Sequence, residues 1–211
     1  MILIGQFDSP FVRRVGITLE TYGIPYEHRP WAVFGDAECV AEINPLIRVP
    51  TLVLDDGLVL VETLAILDAL DEQAGDDCVL MARSGPARRA ALRVCAFAGG
   101  ISDKAVALFY EQNFHEAPNA ALLARIDAQL RRTLDMLNAE RAAGGYVWWQ
   151  GDALTHADIA VAATLRHLSE TQLDRFRLAD WPALARHCTQ CEALPVFQKI
   201  SQPFIFIRGK S

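Results

Sequence analysis

The chain has 211 residues, of which 52% are hydrophobic and 22% are charged. This composition excludes disordered, collagen-like and low-complexity proteins, and it supplies a core for one large domain or two modest ones. The formal net charge of −6 argues against general nucleic-acid binding, which needs a basic face. Because no run approaches the roughly 18 apolar residues of a membrane span and MILIGQFDSP lacks a signal-peptide pattern, we expect a soluble protein.

The five cysteines are an odd number at irregular spacing, which predicts free thiols and a reducing, cytoplasmic compartment. Cys188 and Cys191 form a lone Cys-x-x-Cys without a second pair. We therefore expect buried helical thiols at these two positions and no metal site.

The charge is unevenly distributed along the chain. Residues 1–75 hold 4 Lys and Arg against 12 Asp and Glu, whereas residues 84–211 hold 15 against 12. This break predicts two domains, 1–75 and 87–211, joined by a linker at 76–86 that is rich in Asp, Gly and Ser.

Strand and helix signals alternate from the start of the chain. Residues 2–6 predict a short apolar strand. Ser9 and Pro10 then predict a helix start, with Ser9 as N-cap, and Gly23 ends the helix. Residues 25–29 predict a second strand.

A helix signal at 36–43 precedes two β-rich runs within residues 51–62. Asp56-Gly57 between these runs predicts a hairpin in which both turn residues have a positive φ. Thr63 is the N-cap candidate of a third helix. The resulting order, βαβαββα, is that of an α/β thioredoxin-like domain.

Beyond residue 86 the strand signal vanishes. Long helices are predicted over 86–116 and around Leu123–Leu137, and shorter ones near 181–193 and 195–201. Thr155-His156-Ala157-Asp158 resembles a capping box before an apolar helix, with Asp in place of the usual Glu. The second domain is therefore predicted to be all-α, and the apolar tail 203–207 to fold back onto a domain.

Ser9 is the first candidate for chemistry, because a helix N-terminus offers unpaired N–H groups and favours an anion. Thioredoxin-like redox proteins hold a Cys-x-x-Cys pair at this place. The residues here, Ser-Pro-Phe-Val at 9–12, contain no thiol, which excludes dithiol exchange at this site. A hydroxyl can instead donate a hydrogen bond to the thiolate of a bound molecule.

Two further candidates lie beside the hairpin. A cis Val49–Pro50 bond would leave the backbone of Val49 free to pair with an extended peptide, whereas a trans proline entering a strand is the ordinary alternative. Glu62 and Thr63 can hold the ammonium and carboxylate groups of an α-amino acid, or they are a plain helix cap beside an exposed acid.

Four motifs resemble cytosolic glutathione S-transferases of a bacterial, serine-type kind: SPFVRRV, NPLIRVPTL, VETLAI and THADIAVAA. The resemblance covers essentially the whole chain, although Ile47-Arg48 and Thr63 depart from the more frequent Gly-Lys and Ser. It implies glutathione as cosubstrate, a cis Pro50, a homodimer, a detoxification role, and an open pocket between the domains for a small hydrophobic electrophile.

The resemblance also implies residue roles. Val49 and Pro50 would present backbone to the cysteinyl part, Glu62 and Thr63 would hold the γ-glutamyl head, and Ser9 would face the sulfur. Arg48 is the nearest cation for the glycyl carboxylate. Several aromatic residues are candidates for the electrophile pocket, with core packing as the alternative for the last two: Phe11, Trp31, Phe34, Phe109 and Tyr110.

The sequence thus predicts a transferase that conjugates the thiolate of glutathione to a small hydrophobic electrophile. The alternatives are a glutathione-dependent isomerase, dehalogenase or peroxidase, and a non-catalytic binding protein of the same fold.

Overall fold

The computed structural model describes residues 1–75 and 80–204. Over these ranges the chain forms two compact units: Met1–Leu80 together with residues 194–204 (unit 1), and Met81–Ala193 (unit 2). Residues 76–79 of the predicted linker, and the tail from residue 205 onward, lie outside the described residues. No helix in the described ranges combines the length and the hydropathy needed to span a membrane.

Unit 1 is built on a mixed sheet whose described strands run in the order β2-β1-β3-β4. β1 pairs parallel with β2 and antiparallel with β3, and β3 pairs antiparallel with β4. Helix α1 connects β1 to β2, α2 connects β2 to β3, and α3 follows β4, in the order that the sequence predicts. The element bounds are β1 Ile2–Ile4, α1 Pro10–Tyr22, β2 Glu27–Arg29, α2 Ala37–Ala41, β3 Thr51–Val53, β4 Val59–Val61 and α3 Thr63–Ala74.

One face of this sheet carries the core of unit 1. Alternate residues of a strand point to the same face, and helices α1 and α3 turn their apolar side chains to that face. The buried cluster comprises Leu3, Val12, Val15, Leu19, Leu52, Ile66, Leu67 and Leu70. The predicted thioredoxin-like fold is confirmed.

The predicted start and end of α1 are both confirmed. Ser9 is the N-cap, and its Oγ accepts a hydrogen bond from the Val12 amide at 3.4 Å. Gly23 ends the helix in the left-handed region, at a φ of 64°.

The hairpin exists, but the predicted turn type is wrong. Gly57 has a φ of 88°, whereas Asp56 is not among the described residues with a positive φ. The Gly57 amide donates to the Leu54 carbonyl at 3.0 Å, and the Leu54 amide donates to the Leu58 carbonyl at 2.9 Å. These bonds define a three-residue loop that needs a positive φ only at its last position.

Unit 2 is helical, as predicted. Its long helices are α4 Gly85–Phe114, α5 Ala120–Ala143, α6 His156–Thr171 and α7 Pro182–Glu192. Buried side chains of all four helices form one cluster, which includes Leu108, Leu134, Leu165 and Leu184. The predicted all-α character of the second domain is confirmed.

The segment after residue 193 packs with unit 1, whereas the sequence analysis placed it in the domain 87–211. Helix α8 (Pro195–Lys199) lies against α1. The buried side chain of Arg13 donates to the carbonyl of Ile200 at 2.8 Å and to that of Phe197 at 3.0 Å. A buried guanidinium needs such acceptors, and these two carbonyls tie the segment to α1.

The capping box of α6 is confirmed and is part of a buried polar cluster. The Asp158 carboxylate accepts from the Thr155 amide at 2.8 Å, the Thr155 hydroxyl at 2.7 Å and the Trp149 amide at 2.7 Å. His187 Nε2 lies 3.6 Å from Asp158 Oδ1. Asp158 thus joins the loop before α6 to the first turn of α6 and to α7.

His187 is held as a neutral ring in this cluster. Its Nδ1 accepts a hydrogen bond from Arg141 Nε at 3.2 Å, and its Nε2 lies 3.6 Å from Cys191 Sγ. Burial, and to a lesser degree the charge of Arg141, lower the pKa of His187 to about 4 although Asp158 opposes the shift. Burial also raises the pKa of the Cys191 thiol, which keeps this thiol neutral. Cys188 and Cys191 are buried thiols of α7, as predicted.

We expect the protein to lose stability as the pH falls from about 6.5 to about 4 through His187. The unfolded histidine takes up a proton in this window while the folded one does not, so the free energy of unfolding decreases by up to about 3 kcal/mol. Urea unfolding at several pH values measures the effect. The matched variant His187→Gln lacks the titrating group, and parallel pH profiles of the two proteins would contradict the assignment.

Candidate functional site

The loop before β3 presents an unpaired stretch of backbone. The Val49–Pro50 peptide bond is cis, as the resemblance implies. In the described ranges neither the amide nor the carbonyl of Val49 has a hydrogen-bond partner. One amide and one carbonyl on the same residue are what an extended peptide needs for antiparallel pairing.

Asn44 holds this loop in place, and the sequence analysis missed it. Its side-chain amide donates to the Arg48 carbonyl and to Thr51 Oγ1, both at 3.0 Å, and its Oδ1 accepts from the Leu46 amide at 3.0 Å. Asn44 is almost completely buried. Asn-Pro at 44–45 is a turn signal that predicts such a role, because asparagine side chains bond to nearby backbone.

Gly5 permits the close approach of Val49 to the sheet. Its φ is 127°, and a Cβ there would lie 2.5 Å from Val12 Cγ2 and 2.8 Å from Val49 Cβ. Any larger residue would displace Val49. A glycine directly after a strand is a signal of close backbone contact, although the sequence analysis gave Gly5 no role.

Helix α3 begins differently from the prediction. Glu62, not Thr63, is the N-cap, with a φ of 73°, and its carbonyl accepts the first bond of the helix from the Ile66 amide at 3.1 Å. Thr63 is the first helical residue. Its hydroxyl is buried and has no hydrogen-bond partner in the part of the chain that the structure describes.

A single surface pocket of unit 1 brings six of the predicted residues together. They are Phe11, Arg48, Val49, Pro50, Glu62 and Thr63, and the pocket is completed by Asn44, Leu46 and Val61. Arg48 and Glu62 are exposed, and within the described residues their charged groups form no ion pair. The pocket therefore places a cation and an anion, neither in an ion pair within the described ranges, beside the unpaired backbone of Val49, which suits a zwitterionic peptide.

Ser9 is not among the pocket-lining residues, although Phe11, two residues further along the chain in the first turn of α1, is. The Ser9 hydroxyl accepts the Val12 amide, and its own hydrogen has no acceptor over residues 1–75 and 80–204. It is half-buried. Ser9 thus has a free donor at a helix N-terminus, the place where a thiolate is stabilised.

The remaining aromatic candidates do not line this pocket. The Arg29 guanidinium lies over the ring of Trp31, 5.5 Å from its centre, and Phe34 is exposed. Phe109 and Tyr110 belong to α4 in unit 2, with ring centres 6.3 Å apart. The predicted role of these four side chains in an electrophile pocket stays a prediction.

A thioredoxin-like domain with a polar surface pocket, followed by an all-α domain, defines the class of protein. Comparison with known proteins then gives the family. The model of the glutathione S-transferase N-terminal domain matches residues 3–77, and that of the C-terminal domain matches residues 120–190. The chain belongs to the glutathione S-transferase family.

Individual relatives agree with this assignment. The crystal structure of a glutathione S-transferase from Methylobacterium radiotolerans in complex with glutathione sulfonate has a TM-score of 0.90 and 29% identity, covering 100% of this chain and 98% of that one. The uncharacterized GST-like protein YibF of Escherichia coli is 27% identical over 187 residues, which is 88% of this chain and 91% of YibF. Maleylacetoacetate isomerase of Pseudomonas aeruginosa is 25% identical over 218 residues, 94% of each chain.

Proposed function

We propose that the pocket of unit 1 binds glutathione and that the bound thiolate attacks a small hydrophobic electrophile. The observation that carries the proposal is the buried hydroxyl of Thr63, which has no partner among the described residues. A buried hydroxyl without a partner costs about 1–3 kcal/mol. A ligand oxygen that accepts a hydrogen bond from the Thr63 hydroxyl would offset this cost, which explains a buried hydroxyl at this position.

Each polar part of glutathione has a counterpart in the pocket. The amide and carbonyl of Val49 pair with the cysteinyl residue, as a short antiparallel strand. Glu62 accepts the γ-glutamyl ammonium group, while Thr63 and the free N–H groups of the first turn of α3 bind the neighbouring carboxylate. Arg48 attracts the glycyl carboxylate.

Ser9 stabilises the thiolate by donating its free hydrogen to the sulfur. An unperturbed thiol with a pKa of about 8.5 is only ~3% ionised near neutral pH. A hydrogen bond to a charged acceptor contributes about 1.5–3 kcal/mol, and the helix end adds about 0.3–1 kcal/mol. Together these lower the thiol pKa by about two units, which makes most of the bound glutathione nucleophilic without a general base.

Conjugation forms a bond between the sulfur and the electrophilic carbon and releases the leaving group with its electron pair. Isomerisation is the second candidate, favoured by the isomerase relative that matches the chain over nearly its full length. In an isomerisation the thiolate adds to a conjugated double bond and is eliminated again. Glutathione consumption separates the two reactions, because only conjugation removes it in proportion to product.

A homodimer in a reducing cytoplasm is part of the same proposal. The edge of unit 1 at β4 and the start of α3 exposes the apolar side chains of Leu58, Val59 and Leu64. Exposed apolar edges are normally covered, and a second copy of the chain would cover this one. The described free thiols Cys39, Cys95, Cys188 and Cys191 fit a compartment in which glutathione is kept reduced.

Thr63→Val tests glutathione binding directly. Valine copies the shape of threonine without the unpartnered hydroxyl, so we expect the ligand-free protein to melt at the same temperature or higher. Glutathione affinity should fall about tenfold or more, because a hydrogen bond to a carboxylate is lost. Thermal unfolding and titration calorimetry measure the two effects.

Cysteinylglycine, which lacks the γ-glutamyl head, is the matched control ligand. We expect Thr63→Val to leave its affinity unchanged, because the deleted hydroxyl has no partner on this dipeptide. Equal glutathione affinity in wild type and variant would contradict the role of Thr63. No heat of binding from glutathione to the wild type would refute the proposed function itself.

A further inference from the structure

The loop between β1 and Ser9 is held by a residue near the other end of the chain. Gln202 Oε1 accepts a hydrogen bond from the Phe7 amide at 3.2 Å. Phe7 lies inside a tight turn that is closed by the bond from the Ser9 amide to the Gln6 carbonyl, also 3.2 Å. Gln202 therefore contacts the turn that sets the position of Ser9.

The opposite side of the same turn is fixed by β2. His28 Nε2 bonds to the Gly5 carbonyl at 2.8 Å, and the ring of His28 stacks on that of Phe7 with centres 4.0 Å apart. With His28 on one side, the Phe7 amide has only Gln202 as its acceptor among the described residues. The turn is thus clamped between β2 and the C-terminal segment.

The C-terminal segment is itself anchored firmly enough to act as a support. The buried Arg13 binds the carbonyls of Phe197 and Ile200, and its guanidinium lies over the Phe197 ring at 5.5 Å from the centre. Ile200 is buried and also lies near Gly16, in the middle of α1. Gln202 follows this anchor by two residues, so its side chain projects from a fixed backbone.

We infer that Gln202 is a positioning residue for Ser9: through the Phe7 amide it aligns the turn from which the serine hydroxyl donates to the bound thiolate. This inference rests on the proposed function. A hydrogen bond weakens steeply as its angle and distance depart from the optimum, so a loosened turn weakens the bond from Ser9 to the sulfur. Gln202 is not among the residues that line the pocket, and the proposed peptide contacts of Arg48, Val49 and Thr63 come from the loop before β3 and the start of α3.

The test compares wild type with Gln202→Leu, which removes the acceptor, and Gln202→Glu, which keeps an acceptor oxygen. Lys199→Gln is the matched control. Lys199 lies in the same segment as Gln202, and the substitution breaks only its exposed ion pair with Glu20 of α1. The pKa of the bound glutathione thiol is read from the ultraviolet thiolate band against pH. High salt, about 0.5 M, screens the charge that glutamate introduces.

We expect Gln202→Leu to raise the thiol pKa by about half to one unit, a three- to tenfold loss of thiolate at lower pH. The KM for glutathione should change less than about twofold while kcat falls, because binding and thiolate stabilisation are separate contacts. Gln202→Glu should restore the wild-type pKa, and Lys199→Gln should not alter it. The Phe7 amide should exchange slowly with solvent in wild type, and fast in Gln202→Leu.

Three results overturn the inference. They are an unshifted thiol pKa in Gln202→Leu, equal losses in the leucine and glutamate variants, and fast exchange of the Phe7 amide in wild type. The exchange measurement needs neither glutathione nor a variant, so fast exchange overturns the inference even where Gln202→Leu does not fold. In that case the thiol pKa of Gln202→Asn, which shortens the side chain and withdraws the acceptor from the Phe7 amide, takes the place of that of the leucine variant. If the wild type binds no glutathione, the proposed function is refuted. If the wild type binds glutathione and Gln202→Leu has the same thiol pKa, only the role of Gln202 is refuted.

Discussion

Replacing Ser9 with alanine is expected to raise the pKa of the bound glutathione thiol by about one to two units. The lost hydrogen bond to a charged sulfur is worth about 1.5–3 kcal/mol, and one pKa unit corresponds to about 1.4 kcal/mol. The thiolate fraction near neutral pH then falls about tenfold or more. Turnover falls somewhat less, because the fewer thiolates that remain are more nucleophilic. The thiolate absorbance band and the rate with an activated chloro-aromatic measure the two effects.

Ser9 is also the N-cap of α1, so the alanine variant needs a control for stability. Losing the cap costs about 0.5–2 kcal/mol, and thermal unfolding measures this loss separately. Ser9→Thr keeps both the cap and the hydroxyl, and we expect it to retain most of the thiolate band. If Ser9→Ala binds glutathione with an unchanged thiol pKa, the serine has no part in the mechanism.

The order of elements in unit 1 could be predicted because local signals agree with the fold. The sequence predicts Ser9 as the N-cap of α1 and Gly23 as the residue that ends the helix, and both predictions are confirmed. The capping box at Thr155 and Asp158 is equally local, since both partners lie within one helical turn. Such features depend on neighbours in the sequence, and a single sequence therefore suffices to find them.

The finer structure of the site depends on contacts between distant parts of the chain. Glu62 has a positive φ that no propensity predicts for a glutamate, and it takes the N-cap position expected for Thr63. The side chain of Arg13 binds carbonyls at Phe197 and Ile200, more than 180 positions away. No periodicity of the sequence reports such a pairing, so the place of the C-terminal segment could not be predicted.

The hydrogen bond between Gln202 and Phe7 is another contact between distant parts of the chain. A lone glutamine after a short helix carries no signal in the sequence, and its relation to Phe7 emerges only from the fold. The pocket residues, in contrast, lie in motifs that begin or end strands and helices. The candidate binding residues therefore stand at positions that local signals mark. Asn44 and Gly5 carry local signals too, which the sequence analysis did not use, whereas Gln202 carries none.

The second large effect is expected in unit 2, where Asp158→Ala should lower the free energy of unfolding by about 3–5 kcal/mol. The buried carboxylate accepts three short hydrogen bonds, two from Thr155 and one from the Trp149 amide. Alanine leaves the buried amide of Trp149 and the partly buried donors of Thr155 without this acceptor, and it removes the acid beside His187. Since small domains are stable by only about 5–15 kcal/mol, the loss is a large share of the total. Urea unfolding at neutral pH measures it.

Two control variants distinguish the effect of the hydrogen bonds to the carboxylate from the effect of removing a negative charge. Asp152→Ala removes one negative charge from the exposed loop just before α6, and we expect its unfolding midpoint to match that of wild type. Asp158→Asn keeps one acceptor oxygen but replaces the other with a donor, so its stability should fall between wild type and Asp158→Ala. If Asp158→Ala and Asp152→Ala had the same urea unfolding midpoint, the capping box would contribute little to stability. The predicted order, with asparagine in the middle, follows only if the individual bonds to Thr155 and Trp149 carry the stability of this junction.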